Sequence, residues 1–207
     1  TKVGVAQVNV LDKAIHMAVE DLFSATNFII ENADQLDVDP SNIVISGSSA
    51  GAISVMQAEY EIANATQWAS VLPAGFNYAG VMSFSGAILS REGKVDFKKS
   101  PCPTLMLHGT SDELVPYDQI KVFNLGFFGG GKLVERFKKY GLNYNMYHFT
   151  DYGHEIAGSM DTTLDLQLKF LETNVMQKKM RIVEAWISDP DVFKGSGPQS
   201  RKELYGN

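Results

Sequence analysis

The sequence is poor in cysteine, in basic charge and in long apolar stretches. Its single cysteine, Cys102, excludes a disulfide within the chain. The 24 acidic residues outnumber the 18 Lys and Arg residues and give a net charge of −6, so no basic surface is expected to hold nucleic acid or an anionic membrane. No apolar run approaches the length of a membrane span. What remains is a composition typical of soluble globular proteins, with 44% hydrophobic and 20% charged residues.

The length of 207 residues is enough for one domain with a sizeable core. We predict that domain over residues 1–193 and a mobile tail, rich in Gly, Ser and basic residues, over residues 194–207. The chain begins without Met and without the features of a signal peptide, so we expect a processed or truncated N-terminus. The sequence does not distinguish a cytoplasmic protein from a secreted or periplasmic one.

Apolar strands alternate with helices along the chain. Strands are predicted at residues 43–45, 79–86, 104–109 and 144–149. Helices are predicted at residues 12–33, from 52 onward, and at 132–140, 157–176 and 180–193. Residues 1–12 have the spacing of extended chain, and residues 116–140 that of a helical segment interrupted at 124–131. Strands that are apolar throughout and alternate with helices predict an α/β fold with a parallel sheet and helices on both faces.

The strand at residues 43–45 breaks into small residues directly before a helix. This stretch contains Gly47, Ser49 and Gly51 in the G-x-S-x-G pattern of a nucleophile elbow, a sharp strand-to-helix turn that exposes one serine above the sheet. We expect both glycines to be required, because the strained turn brings strand and helix backbones too close for a Cβ atom. Ser49 is the only serine that fits the frame.

An acid and a base follow two later strands. Asp112 comes three residues after the strand at 104–109, and His154 follows the strand at 144–149. In a parallel sheet the carboxyl ends of the strands meet at one edge, so these side chains are expected near Ser49. Glu113 is an adjacent rival to Asp112, and His148 competes with His154. We expect neither rival to belong to the site, because His148 lies within a strand and Glu113 leaves the turn in another direction.

The three residue types suit nucleophilic catalysis. A serine hydroxyl is too weak an acid to attack an ester unaided, and an imidazole with a pKa near 6.5 can take up its proton and return it to the leaving group. A carboxylate then selects the imidazole tautomer and stabilises the cation. The chain order Ser, Asp, His is that of an α/β-hydrolase.

With these motifs the chain resembles serine carboxylesterases of the α/β-hydrolase superfamily, near the hormone-sensitive-lipase-like and bacterial carbohydrate-esterase branches. The resemblance covers residues 12–175, and is carried by residues 39–51, 108–116 and 153–155. It implies an ester hydrolase that uses Ser49, Asp112 and His154, needs no cofactor or metal, and acts on a small-molecule ester. A serine peptidase or a thioesterase would share the same three residues.

The resemblance also implies strands before residue 12, with a His-Gly-Gly loop that donates to the oxyanion hole. Those strands are missing here, so we expect an N-terminally truncated version of the fold. The backbone N–H of Ala50 is one predicted donor. A second donor is expected from a missing N-terminal segment or from another chain. Without one, the chain could be weakly active or a catalytically impaired binding module.

Four side chains are candidates for substrate contacts. Phe127 and Phe128 lie in a glycine-flanked segment after the acid loop, Tyr152 precedes His154 by two residues, and Ser48 neighbours the nucleophile. Apolar walls near the site would hold the acyl or aromatic part of a substrate. The alternative for the Phe pair, packing of the following helix onto the sheet, is equally consistent with the sequence.

Overall fold

Five parallel strands form the central sheet of this protein. The computed structural model describes residues 5–189 and residue 191. The sheet order is β1-β2-β4-β7-β8, and each neighbouring pair is parallel. The strands of this sheet are β1 Val44–Ser48, β2 Gly80–Phe84, β4 Thr104–Gly109, β7 Tyr144–Phe149 and β8 Val183–Ile187. Strand β1 is therefore an edge strand, with β2 on one side of it.

The helices are α1 Val5–Glu31, α2 Ala33–Leu36, α3 Ala50–Ala63, α4 Gly130–Tyr140 and α5 Leu164–Phe170. A short 3-10 turn, His154–Gly158, follows β7, and a π-helical turn, Leu171–Met176, follows α5. Among the described residues, no helix combines the length and the apolar character that crossing a membrane requires.

Alternate side chains of each central strand enter two separate cores. In β7, Met146 packs with helices α1, α3 and α4, whereas Phe149 packs with the 3-10 turn and α5. Strand β4 divides in the same way, with Met106 on the first side and Leu107 on the second. This alternation follows from the two-residue period of a strand, and it leaves both faces of the sheet covered by helices. The predicted fold class is thus confirmed.

A second, antiparallel sheet lies outside the predicted layout. Strands β3 (Ala87–Ser90), β5 (Gln119–Val122) and β6 (Leu125–Gly129) form it in the order β3-β6-β5. The prediction of a helical segment from residue 116 is therefore wrong as far as residue 129, and the predicted helix at 132–140 is present as α4. Strands β5 and β6 are joined by only two residues, Phe123 and Asn124, so a tight hairpin lies where the sequence predicts an interrupted helix.

Three further predictions need correction. From Val5 onward the predicted extended chain at the N-terminus is the start of α1. The described part of the predicted helix at residues 180–193 contains the edge strand β8, Val183–Ile187, and no helix. The predicted helix at 157–176 is divided into the 3-10 turn, α5 and the π-helical turn. The predicted mobile tail lies outside the described residues.

Candidate active site

Ser49 occupies a strained turn between β1 and α3. Its backbone has φ 53° and ψ −118°, a left-handed conformation that non-glycine residues rarely adopt. Its N–H donates a hydrogen bond to the carbonyl of Phe84 at the end of β2, with N···O 2.9 Å. Such strain persists only where the surroundings hold it in place, and it is concentrated at functional sites. The strand-to-helix turn has the form that the sequence predicts.

The two glycines of the elbow differ in what they permit. A Cβ atom on Gly47 would lie 2.3 Å from the carbonyl carbon of Gly51, so the strand and the helix approach each other too closely for any side chain there. A Cβ atom on Gly51 would meet no atom within 4 Å. The prediction that both glycines are required by close packing is right for Gly47 and wrong for Gly51.

Asp112 is held in a buried loop that follows β4. Its Oδ1 accepts hydrogen bonds from the N–H groups of Leu114 and Val115, each at 2.9 Å. The side chain of Asp112 is 0% exposed, whereas the neighbouring Glu113 lies on the surface. The loop therefore turns one carboxylate inward and the next one outward.

His154 begins the 3-10 turn after β7 and joins the acid to the serine. Its Nδ1 lies 2.9 Å from Asp112 Oδ2, and its Nε2 lies 2.8 Å from Ser49 Oγ. Gly109 makes this approach possible, because a Cβ atom there would lie 2.3 Å from the carbonyl oxygen of Gly153. The Nδ1–H of His154 donates a hydrogen bond to the carboxylate. The unprotonated Nε2 is then the acceptor for the serine hydroxyl.

Asp112 is the residue that supplies negative charge to the candidate site. Burial alone would raise the pKa of its carboxyl group, but the hydrogen bonds from His108 and His154, together with the N–H of Val115, lower that pKa below its ordinary value. The carboxylate is therefore ionised in the folded protein at neutral pH. An ionised carboxylate can stabilise an imidazolium that forms on His154.

His148 lies away from this arrangement. It is 1% exposed, its Nδ1 lies 2.7 Å from the hydroxyl of Tyr117, and its ring stacks on Trp186 with 4.1 Å between centroids. Burial lowers the pKa of its imidazole. The geometry thus places His154 and not His148 beside Ser49, as the sequence predicts.

The four candidate substrate contacts have structural partners instead. The hydroxyl of Ser48 donates to the carbonyl of Ala157 at 2.5 Å, which ties the elbow to the turn that carries His154. The hydroxyl of Tyr152 donates to the carbonyl of Asp189 at 2.8 Å, and the ring is buried against the core.

The Phe pair lies on β6 of the antiparallel sheet. Phe128 is 1% exposed in the core that also contains α4, and Phe127 is partly buried against the same core. This burial favours the packing alternative for the pair over the pocket, and for Phe128 it corrects the expected substrate contact.

Helix α3 begins with Ala50, directly after Ser49. The N–H groups in the first turn of a helix have no acceptor within the helix, so the N–H of Ala50 stays a candidate oxyanion donor. Within the described residues, no group of three or more His, Cys, Asp or Glu side chains is arranged to hold a metal ion.

One residue of the site was passed over at the level of sequence. His108, at the end of β4, contacts Asp112 from beneath, with 3.4 Å between Nε2 and Oδ2. The two-residue period of β4, which places residues 106 and 108 on the same face, is the signal that could have indicated a buried partner.

Comparison with known proteins shows which families and folds the chain resembles. Residues 9–79 match the BD-FAE family of α/β-hydrolase-like esterases. A truncated carbohydrate esterase from gut microbiota has a similar structure, with a TM-score of 0.50 and 16% identity over 74% of this chain and 67% of that one. The chain has the α/β-hydrolase fold.

A second α/β-hydrolase structure supports the same conclusion about the fold. It is a puromycin-hydrolysing peptidase from Mycobacterium tuberculosis, with a TM-score of 0.50 and 19% identity over 81% of this chain. The present chain spans 27% of that peptidase. No curated protein sequence matches the chain. The match to an esterase family supports, at family level, a hydrolase that acts on esters.

Proposed function

We propose that this α/β hydrolase is a serine esterase that cleaves carboxylic esters through an acyl-enzyme. The observation that carries the proposal is the continuous chain of hydrogen bonds from Asp112 through His154 to Ser49, with distances of 2.9 and 2.8 Å. A nucleophile, a base within hydrogen-bond reach and a third group that orients the base are the requirements for an activated serine. All three come from different strand ends, so their meeting does not result from local sequence.

Acylation begins at the hydroxyl of Ser49. As Oγ attacks the ester carbonyl carbon, its proton passes to Nε2 of His154, and Asp112 stabilises the imidazolium. The tetrahedral intermediate then collapses, the C–O bond to the alcohol breaks, and the proton on Nε2 passes to the departing alkoxide. The products of this half-reaction are a free alcohol and an acyl group on Ser49.

Deacylation repeats the same steps with water. His154 takes a proton from a water molecule while the oxygen of that water attacks the acyl carbon. The second tetrahedral intermediate then collapses and releases Ser49. The proton on Nε2 returns to Oγ, so the enzyme is regenerated and a carboxylic acid leaves.

The negative charge of each intermediate needs donors. The N–H of Ala50 is the proposed first donor, because it follows the nucleophile at the start of α3. A second donor can approach from the open edge of β1, since β2 occupies its other side. We propose that another segment of polypeptide supplies it there. One missing donor typically lowers turnover by about a hundred- to a thousandfold.

A fluorophosphonate probe and p-nitrophenyl acetate test the nucleophile together. The probe should label Ser49, identified by mass spectrometry of the modified peptide, and Ser49→Ala should abolish both labelling and hydrolysis. Ser46→Ala is the matched control, because Ser46 is an exposed serine on the same strand. Hydrolysis that survives in Ser49→Ala would overturn the proposal.

The same assay separates the related activities. Hydrolysis of p-nitrophenyl acetate without hydrolysis of a p-nitroanilide is the expected result for an esterase. Faster cleavage of the anilide would indicate a peptidase, and faster cleavage of an acyl thioester a thioesterase. Failure of the probe to react with a folded chain would favour a binding module.

A further inference from the structure

His108 is buried beneath the acid loop, with a partner for each ring nitrogen. It lies on β4 and is 1% exposed. The N–H of Gly130, the first residue of α4, donates to Nδ1 at 3.2 Å. Because Nδ1 accepts that hydrogen bond, the proton of the neutral ring is on Nε2. Nε2 lies 3.1 Å from the carbonyl oxygen of Val115, to which it donates.

The Nε2–H of His108 also faces the acid itself. Nε2 lies 3.4 Å from Oδ2 of Asp112, the same oxygen that accepts the hydrogen bond from His154. The 3.1 Å bond to Val115 is the shorter of the two contacts, and Val115 in turn donates its N–H to Oδ1 of Asp112. His108 thus contacts the carboxylate directly and also binds the carbonyl of Val115, the residue whose N–H binds the other carboxylate oxygen.

We propose that His108 is a positioning residue that orients Asp112 toward His154. This inference rests on the proposed esterase function, because it assigns a role in that same site. Asp112 is fixed on four sides, by two backbone N–H groups and by two imidazoles. Three of these groups lie within the acid loop or at the reacting histidine. His108 is the one that ties the acid to the body of the sheet.

The same contact links the acid to the antiparallel sheet. Gly130 directly follows β6, and a Cβ atom on it would lie 3.0 Å from Nδ1 of His108. The ring of Tyr117, from the segment before β5, meets His108 edge-on with 5.6 Å between centroids. The junction of β6 and α4 therefore determines where His108 lies, and His108 determines where Asp112 lies.

The competing explanation is that His108 only fills the core. The chain offers a matched control for it in His148, which pairs with His108 in the register of β4 and β7. Both rings are 1% exposed on the same face of the sheet, and both approach Tyr117. His148 bonds to the Tyr117 hydroxyl and lies outside the hydrogen bonds that surround Asp112.

The experiment compares His108→Phe with His148→Phe in p-nitrophenyl acetate hydrolysis and in thermal unfolding. We expect His108→Phe to lower kcat by about ten- to a hundredfold at an unchanged KM, because a small displacement of the acid misorients the base. His148→Phe should lower the melting temperature by about as much as His108→Phe does, but should leave kcat unchanged. Equal kcat values for the two variants would overturn the proposal.

Two further variants keep the test decisive if the Phe variants unfold. His108→Gln keeps a donor near the position of Nε2 and should retain more activity than His108→Asn, which places its amide near Nδ1. Adding His108→Asn to Asp112→Asn should cause no further loss, because a residue that acts through Asp112 has no effect once the acid is gone. A second, additive loss would contradict the inference.

The outcome of Ser49→Ala and Asp112→Asn separates the two proposals. If neither variant loses activity, the proposed function fails and the role of His108 fails with it. If both lose activity while the His108 variants behave like the His148 control, only the positioning role is wrong.

Discussion

Two buried carboxylates of this molecule have opposite ionisation behaviour. Asp112 lies at the carboxyl edge of the parallel sheet, and Glu59 lies on α3 in the core at 3% exposure. Asp112 accepts backbone hydrogen bonds from Leu114 and Val115 and faces two imidazoles, and its pKa is lowered despite burial. Burial raises the pKa of Glu59 to about 7.

The difference lies in the donors that surround each group. Oε1 of Glu59 accepts a hydrogen bond from the N–H of Cys102 at 2.7 Å, while Oε2 has no hydrogen-bond partner among the residues that the structure describes. Removal from water penalises both carboxylates, but only Asp112 receives enough donors to offset that penalty. Burial therefore does not by itself determine whether a carboxyl group is charged. The comparison can be tested at both residues.

The largest effect is expected from Asp112→Asn. An amide can donate to Nδ1 of His154, which would move the imidazole proton to Nε2 and deprive Ser49 of its acceptor. Turnover of p-nitrophenyl acetate should fall by about a thousand- to ten-thousandfold. Circular dichroism is the control for folding. A folded variant with near-normal turnover would show that the charge of Asp112 is not needed.

The next effect is on stability at Glu59. Because its folded-state pKa is raised, the stability that protonated Glu59 contributes is fully present below its ordinary pKa of 4.5 and is lost as pH rises through about 7. For a shift from 4.5 to about 7, the loss is about 3 kcal/mol. Glu59→Gln, which cannot ionise, should remove this part of the pH dependence.

Urea unfolding of the wild type and Glu59→Gln at a series of pH values measures that loss. The curves of unfolding free energy against pH should run parallel below pH 4.5 and diverge above it, with the variant losing less. Curves that stay parallel up to pH 9 would show that Glu59 keeps its ordinary pKa.

A smaller effect is expected at Cys102, whose thiol is buried next to Glu59. Burial, and then the charge of Glu59, raise the pKa of this thiol. Glu59→Gln removes that charge, so the thiol of the variant should ionise more readily, and Ellman's reagent should label the folded variant several-fold faster than folded wild type at pH 8. Equal labelling rates would show that the charge of Glu59 does not act on the Cys102 thiol.

The smallest effect is expected from Glu113→Gln, beside Asp112 in sequence. Glu113 is exposed, so turnover should change by less than about twofold. A loss as large as that of Asp112→Asn would contradict the assignment of the buried carboxylate as the acid.

The sequence predicted the parts of the fold that are apolar throughout. Strands β2, β4 and β7 are buried on both faces, and a run of apolar residues identifies such strands without their neighbours. Strand β8 lies at the edge of the sheet, is only five residues long and has Glu184 as its one polar residue, so its local sequence does not distinguish a strand from a helix. Strands β3 and β6 depend on pairing with each other, which no local pattern reveals.

The sequence by itself also predicted which side chains lie together at the candidate site. Ser49, Asp112 and His154 follow strand ends, and in a parallel sheet strand ends meet at one edge, so their meeting could be predicted without coordinates. The need for Gly47 was also predictable, because the strand-to-helix turn has one backbone shape and that shape leaves no room for a Cβ atom there.

Only the tertiary structure decided what surrounds those residues. The contact of His108 with Asp112, the bond of Ser48 to Ala157 and the open space around Gly51 depend on distances between segments far apart in sequence. The ionisation of Asp112 and of Glu59 likewise depends on how many donors the folded chain brings to each carboxylate. Composition and periodicity describe one segment at a time, whereas burial, hydrogen bonding and charge arise from the packing of several.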